Sequence, residues 1–194
     1  MKKAGLFVVV VVFVFGWAFV LSAQEKAAKK QAEPDKKFIM NAAAGGLYEV
    51  EAGKLATQKA SSEDVKKFGQ RMVDDHSKAN DELMQLANTK GVTPPKEIDK
   101  KHKGELDKLS KASNFDKTYM EMMVKDHEKD VSEFRKEAKD GKDPDVKAWA
   151  AKTVPTLEEH LNMAKGMTKK GGATKKGEMT KKGEPSGKGE PTKK

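Results

Sequence analysis

Residues 115–134, FDKTYMEMMVKDHEKDVSEF, decide the fold, because their buried-type side chains recur at offsets 0, 4, 8 and 15. Those offsets follow one face of an α-helix. Residues 65–86, VKKFGQRMVDDHSKANDELMQL, repeat the same offsets. The repetition predicts two amphipathic helices with a histidine on the core stripe of each, and hence two related hairpins. The matching positions are Tyr119, Met123, His127 and Phe134, and Phe68, Met72, His76 and Leu83.

Two further amphipathic segments complete the pattern. Residues 35–60 carry apolar side chains at spacings of three and four, and a final segment runs from the turn at 140–144 to Ala164, with Pro155 expected to kink it. Residues 92–113 are either a short helix or an irregular connection. Four long helices joined by two short turns and one long connection predict an all-α, four-helix bundle over 35–167.

Local signals predict where helices begin and where they approach each other. Asn114 and the stretch 61–64, SSED, carry the residue types preferred at helix N-caps. Gly46 and Gly53 lie on one face of the first helix, together with alanines. Small residues allow two backbones to approach closely, so this face predicts tight packing against a neighbouring helix.

The beginning of the chain differs from the middle. Residues 1–23 join a positive start, MKK, to an apolar run that ends at the small residue Ala23. This order is typical of a secretory signal peptide, and an uncleaved membrane anchor is the alternative. Export to the periplasm or the outer membrane is therefore expected. Residues 24–34 follow as a polar leader.

The end of the chain carries the basic charge. Of the formal net charge of +9, Lys2 and Lys3 contribute +2 and residues 165–194 contribute +7, so residues 24–164 are neutral. Residues 168–194 repeat hexads such as TKKGEM and contain almost no apolar side chains, which predicts disorder. Such a tail either binds anionic envelope polymers or lipids, or is a solvated extension. Specific nucleic-acid binding is not expected, because the predicted domain has no basic surplus.

Three histidines and one glutamate are predicted to meet inside the bundle. His76, His127 and His160 lie on the core stripes of separate helices, and Glu49 lies on the small-residue face of the first helix. Counting residues from the hairpin turns at 1.5 Å per residue places all four about 18–28 Å from a hairpin end. They therefore fall near mid-bundle.

Several segments resemble an exported bacterial family. Residues 42–56, 72–83, 115–134 and 153–164 are similar in combination to the family of domain of unknown function 4142, whose members are regarded as ferritin-like and are often labelled putative outer-membrane proteins. The resemblance implies a ferritin-like bundle in an exported protein, with no established activity. It also implies that the characteristic polar core positions are Glu49, His76, His127 and His160.

Two interpretations of this cluster remain open. Three histidines and a glutamate suit one transition-metal ion, namely zinc, copper or iron. Alternatively, the histidines are neutral, hydrogen-bonded core residues. Di-iron chemistry is disfavoured, because the Glu-x-x-His pattern is missing: the residues three before the histidines are Val73, Val124 and Leu157.

The sequence favours a non-catalytic protein with an envelope-associated binding or stress-related role. A metal-dependent redox or metal-storage protein is the alternative. No nucleophile elbow, phosphate-binding loop or zinc-protease motif is present, and the absence of cysteine excludes thiol chemistry. His102, on the middle connection, is predicted to be a surface residue.

Overall fold

The computed structural model describes the backbone of residues 14–181 and the side chains of residues 33–169, and within that range helices are the only regular secondary structure. Five helices follow one another along the chain, with α3 much shorter than the others. In order they are α1 Val14–Lys59, α2 Glu63–Thr89, α3 Lys100–Ser110, α4 Phe115–Asp140 and α5 Pro144–Lys181.

The long helices pack as two hairpins. α1 packs mainly against α2, and α4 mainly against α5. Smaller interfaces join α2 to α5 and α1 to α4, and α3 contacts α1 and α4. The short helix therefore resolves the ambiguity of the middle connection, and it forms in spite of Gly104. Asp99 caps it by accepting a hydrogen bond from the backbone N–H of His102 at 2.8 Å.

One amide and one carboxylate side chain fix the starts of α4 and α2. The Asn114 side chain accepts from the backbone N–H of Lys117, which confirms the predicted cap of α4. At the start of α2, Ser62 makes no capping bond through its side chain. Asp116 of α4 instead accepts the N–H groups of Ser61 and Ser62, at 2.9 and 2.8 Å. Because Asp116 belongs to α4, this cap also holds the start of α2 next to the start of α4.

The turn between α4 and α5 is held from α1. Both carboxylate oxygens of Asp35 accept backbone N–H groups of Lys142 and Asp143, at 2.6 to 3.1 Å. Gly141 allows the turn to be tight, because a Cβ there would lie 2.6 Å from Glu137 Oε1 and 2.7 Å from the Glu137 carbonyl oxygen. The predicted turn at 140–144 is confirmed, and it closes against the other hairpin.

The core has two halves. Leucine, valine and aromatic side chains fill the half near the α4–α5 turn, which we call the leucine half; its members include Phe38, Leu83, Leu86, Phe134, Trp149, Leu157 and Leu161. Methionine and tyrosine side chains dominate the other half, near the starts of α2 and α4, which we call the methionine half; its members include Tyr48, Phe68, Met72, Tyr119, Met120, Met123, Met163 and Met167. In each of α2, α4 and α5 a buried histidine separates the two halves along the helix.

Glycines bring α1 and α2 together in the methionine half. A Cβ at Gly53 would lie 2.6 Å from the backbone oxygen of Gly69, and a Cβ at Gly69 would lie 2.8 Å from Ala56 Cβ. Gly46 faces the side chain of Asn80 at similarly short range. The tight packing predicted from the small-residue face is confirmed.

The helices at both ends of the chain are longer than predicted. α1 includes the predicted leader, 24–34, and the later part of the predicted signal segment, while residues 1–13 lie outside the described residues. α5 continues to Lys181, so residues 168–181 are helical where disorder was predicted, and residues 182–194 lie outside the described residues. Both extensions grow from an existing helix, where each added residue gains a hydrogen bond without a new nucleation step.

Pro155 does not interrupt α5, which stays helical on both sides of it. Among residues 14–181, none of the helices combines the length and the apolarity needed to cross a membrane.

Candidate metal centre

Three buried histidines converge where the two halves of the core meet. His76 on α2, His127 on α4 and His160 on α5 each present a ring nitrogen, and these three atoms all lie within 4.8 Å of one another. Two of the rings are fully buried and that of His76 is 6% exposed. The ring centroids lie 5.3 to 5.6 Å apart. The predicted convergence of the three imidazoles is confirmed.

Hydrogen bonds fix which nitrogen carries the hydrogen in two of the rings. His127 Nδ1 lies 3.0 Å from the carbonyl oxygen of Met123. A carbonyl only accepts, so Nδ1 donates, and Nε2 of the neutral ring has a lone pair. In His160 the roles are reversed, because Nε2 donates to Asp75 Oδ2 at 2.8 Å and Nδ1 has the lone pair.

The two lone pairs face each other. His127 Nε2 and His160 Nδ1 are 3.3 Å apart, a distance that would suit a hydrogen bond. Neither nitrogen has a hydrogen to offer in a neutral ring, so no such bond forms between them. Either an additional proton or a cation must lie between these atoms if the contact is to be favourable.

Burial argues against the proton. It lowers the pKa of His127 to about 3, assisted by the nearby His160. Burial likewise holds the pKa of His76 well below its usual range, with further lowering by the other two rings. It also lowers the pKa of His160, although Asp75 opposes the shift. At neutral pH all three rings are uncharged, which is the form that binds a metal ion.

The geometry suits a transition-metal ion. Two nitrogens bound to a tetrahedral ion at about 2.0–2.1 Å lie about 3.3–3.4 Å apart, close to the observed spacing of His127 and His160. His76 Nε2 is buried and makes no hydrogen bond to any described residue. Such an orphaned nitrogen costs about 1–3 kcal/mol unless it has a partner. A cation shared by the three rings would supply that partner and remove the lone-pair repulsion together.

Glu49 lies behind two of the rings rather than among the converging atoms. Its Oε2 is 3.0 Å from His76 Nδ1, and its Oε1 is 3.5 Å from His127 Nδ1. Burial raises the pKa of this carboxyl well above its usual value, and Asp130 and Asp126 raise it further. The structure thus brings Glu49 to the predicted centre, in a position that suits an outer partner of the rings. A cation beside it would favour the ionised carboxylate.

Two acidic residues that adjoin histidines, Asp75 and Glu159, bind side chains on neighbouring helices. Asp75 does not pair with adjacent His76 but accepts from His160 across the helix interface. Arg71 binds Asp75 at 3.2 Å and forms a two-bond pair with Glu159, at 2.7 and 2.8 Å. Although burial raises the pKa of Asp75, the hydrogen bonds from His160 and Arg71 hold it below its usual value. Asp75 is therefore an ionised carboxylate that orients a candidate ligand.

Sequence reasoning missed this partnership. Adjacent residues on a helix lie about 100° apart, so Asp75 points away from His76, but a single helix gives no sign of which neighbour lies there. The signal was present in the pairing of an Asp-His step on α2 with a core histidine on α5. Carboxylate–histidine–metal arrangements of this kind are common around bound metal ions.

His102 lies apart from the centre. Its ring stacks on Tyr48, with centroids 4.9 Å apart, and its side chain is 16% exposed. His102 was predicted to be a surface residue, but its ring is mostly buried, because α3 packs it against α1.

Comparisons with known proteins agree with this fold. A family model described as "Domain of unknown function (DUF4142)" matches residues 21–167. No curated protein matches the sequence. Among solved structures, a DUF305 fragment from Deinococcus radiodurans has a TM-score of 0.62 at 13% identity, over 71% of this chain and 96% of that one. CopM in the Cu(I)-bound form has a TM-score of 0.62 at 18% identity, over 70% and 96%. Its Ag-bound form, obtained by soaking, has 0.61 at 18%, over 70% and 95%.

Proposed function

The chain belongs to the DUF4142 family, whose description assigns no function, and we propose that it is a metal-binding protein with one transition-metal ion held by His76, His127 and His160. The observation that carries this proposal is the 3.3 Å contact between two buried ring nitrogens that both have lone pairs. Asp75 and the Met123 carbonyl orient two of the rings from behind, and Glu49 lies behind His76 and His127, where a bound cation would favour its ionised form.

Copper is the first candidate among zinc, copper and iron. Imidazole suits all three metals, so the ligand set alone does not choose between them. Structures of CopM, which has a similar fold, were solved with Cu(I), with Cu(II) and with Ag. That similarity in fold supports a copper-related role for this chain.

Binding is a better description of the role than catalysis. Two of the three rings are fully buried and the third nearly so, which leaves little room for a substrate beside the metal. A cavity of about 400 Å³ lies between α1 and the C-terminal part of α4. Its lining residues, such as Phe38 and Glu133, include none of the three histidines. The centre therefore suits an ion that is held rather than one that reacts with an organic substrate.

The wider proposal is an exported, envelope-associated protein in which the four long helices form a ferritin-like bundle. The charge of the chain also supports binding to the envelope, because the basic repeat at 168–194 suits anionic lipids or envelope polymers. Binding of the full chain to anionic vesicles, compared with a variant that lacks 168–194, tests this part. Equal binding by the two proteins would dismiss it.

Metal analysis of the purified protein tests the central proposal. The wild type should bind one ion per chain, and His76→Ala should lose it. His102→Ala is the matched control, since it removes a histidine outside the centre, and it should keep the ion. Circular dichroism of each variant shows whether the helices persist. Metal-free wild-type protein after incubation with copper, zinc and iron would leave the histidines as core residues only.

A further inference from the structure

The methionines among residues 33–169 are concentrated on one side of the histidine centre. Six of these eight lie in the methionine half of the core, either buried or partly buried. The leucine half contains no methionine among its described members, although it belongs to the same four helices. If methionine served only to fill gaps, nothing in the fold would confine it to one half.

Five of these methionines continue the histidine stripes, and we call them the methionine ladder. On α4, Met123 and Met120 precede His127 by four and seven residues. On α5, Met163 and Met167 follow His160 by three and seven residues. On α2, Met72 precedes His76 by four. These are spacings at which side chains share one face of a helix.

The ladder forms two levels beside the centre. Because α4 and α5 are antiparallel and their histidines lie at one level, Met123 and Met163 lie one turn away and Met120 and Met167 two turns away. α2 starts at the same end as α4, as the Asp116 cap shows, so Met72 joins the first level. At 5.4 Å per turn, the ladder extends about 11 Å from the centre.

The sulfur of one ladder methionine already donates a lone pair, as a hydrogen-bond acceptor. Met163 Sδ lies 3.3 Å from Arg71 Nη1 and accepts its hydrogen bond at the edge of the core. The first-level residues Met72 and Met123 are fully buried, and Met167 at the second level is partly exposed. The stripe therefore runs from the buried histidines to a partly buried methionine.

We propose that the methionine ladder is a second metal site, which binds a soft monovalent cation, Cu(I) or Ag(I), beside the histidine centre. Thioethers select such cations, whereas zinc prefers nitrogen, thiolate and carboxylate donors. The site goes beyond the proposed function, because its ligands are different atoms and it can fill whether or not the histidines hold an ion.

Silver is the probe for this site, since Ag⁺ is soft and needs no reductant. In chloride-free buffer, ¹³C spectra of methyl-labelled methionine in the full chain should show ladder resonances that shift with Ag⁺ and do not shift with Zn²⁺. Met40 and Met84 lie outside the ladder and serve as internal controls. Unshifted ladder methyls, or equal shifts at Met40 and Met84, would overturn the proposal.

Stoichiometry gives the second measurement. Native mass spectrometry should show one Ag⁺ fewer on a variant with the five ladder methionines changed to leucine than on the wild type. Leucine nearly conserves the volume, so the fold should tolerate the change. The matched control changes Met40 and Met84 to leucine and should keep the wild-type count. An unchanged count in the ladder variant would contradict the site.

A His127→Ala variant separates the two proposals. If the ladder methyls still respond to Ag⁺ there, the thioether site stands independently of the histidine centre. If the histidine centre binds metal in the wild type while the ladder methyl resonances do not shift with Ag⁺, this inference fails and the proposed function survives.

Discussion

Replacing Gly53 with alanine should destabilise the protein. The added Cβ would lie 2.6 Å from the backbone oxygen of Gly69 and 3.0 Å from Val73 Cγ2. The nearer atom belongs to a helix backbone, so relief requires α1 and α2 to move apart. Overpacking of this kind costs about 1–3 kcal/mol, and alanine recovers about 1 kcal/mol of helix propensity. Since a backbone cannot swing aside, we expect the upper part of the range and a net loss of about 1–2 kcal/mol.

Gly45→Ala is the matched control for that substitution. Gly45 lies in the same helix, and a Cβ there would meet nothing within 4 Å. The control should gain about 0.5–1 kcal/mol, so the two variants should differ by about 1.5–3 kcal/mol. Urea unfolding followed by circular dichroism measures both. A Gly53→Ala protein as stable as the wild type would refute the close approach of α1 and α2.

Three further predictions concern single side chains. Asp75→Asn should weaken metal binding about 10–100-fold, measured by competition with a chromophoric chelator, while Asp74→Asn leaves it unchanged. Burial and a neighbouring carboxylate raise the pKa of Glu137 from 4.5 to about 7, so its contribution to stability is complete below pH 4.5 and is lost as pH rises through 7. Urea midpoints should therefore fall between pH 5 and pH 8, and Glu137→Gln should flatten that fall; equal slopes would contradict the shift. Asn114→Ala should lose about 1 kcal/mol in the same assay and Ser62→Ala almost nothing, because only Asn114 makes its capping bond.

The sequence predicted the all-helical fold and the level of the histidines for the same reason. Apolar spacing fixes which face of a helix is buried, and residue counting from a turn fixes height. Both quantities belong to a single helix or hairpin, so His127 and His160 could be placed at one level before any packing was known. The arrangement of the four long helices as a ferritin-like bundle stays a prediction.

Features that depend on a neighbouring helix could not be predicted. The sequence offered Ser62 as a cap, but the carboxylate of Asp116 reaches across from α4 and satisfies the N–H groups instead. Glu49 was predicted as a candidate ligand because it shares the level of the histidines, and nothing in the sequence indicated that its two oxygens would face the Nδ1 atoms of His76 and His127. Composition also missed the helical extension over 168–181, because low apolar content says nothing about growth from a helix that is already formed.

The histidine centre spans the boundary between the two hairpins. His76 and Asp75 come from the first hairpin and His127 and His160 from the second, so a bound ion and the Asp75–His160 bond would both cross that seam. A bound metal ion would act as a reversible cross-link between the hairpins. A force that separates them would have to break metal–nitrogen bonds as well as the apolar contacts. Pulled from its two ends, the loaded chain should yield at a higher force than the metal-free chain.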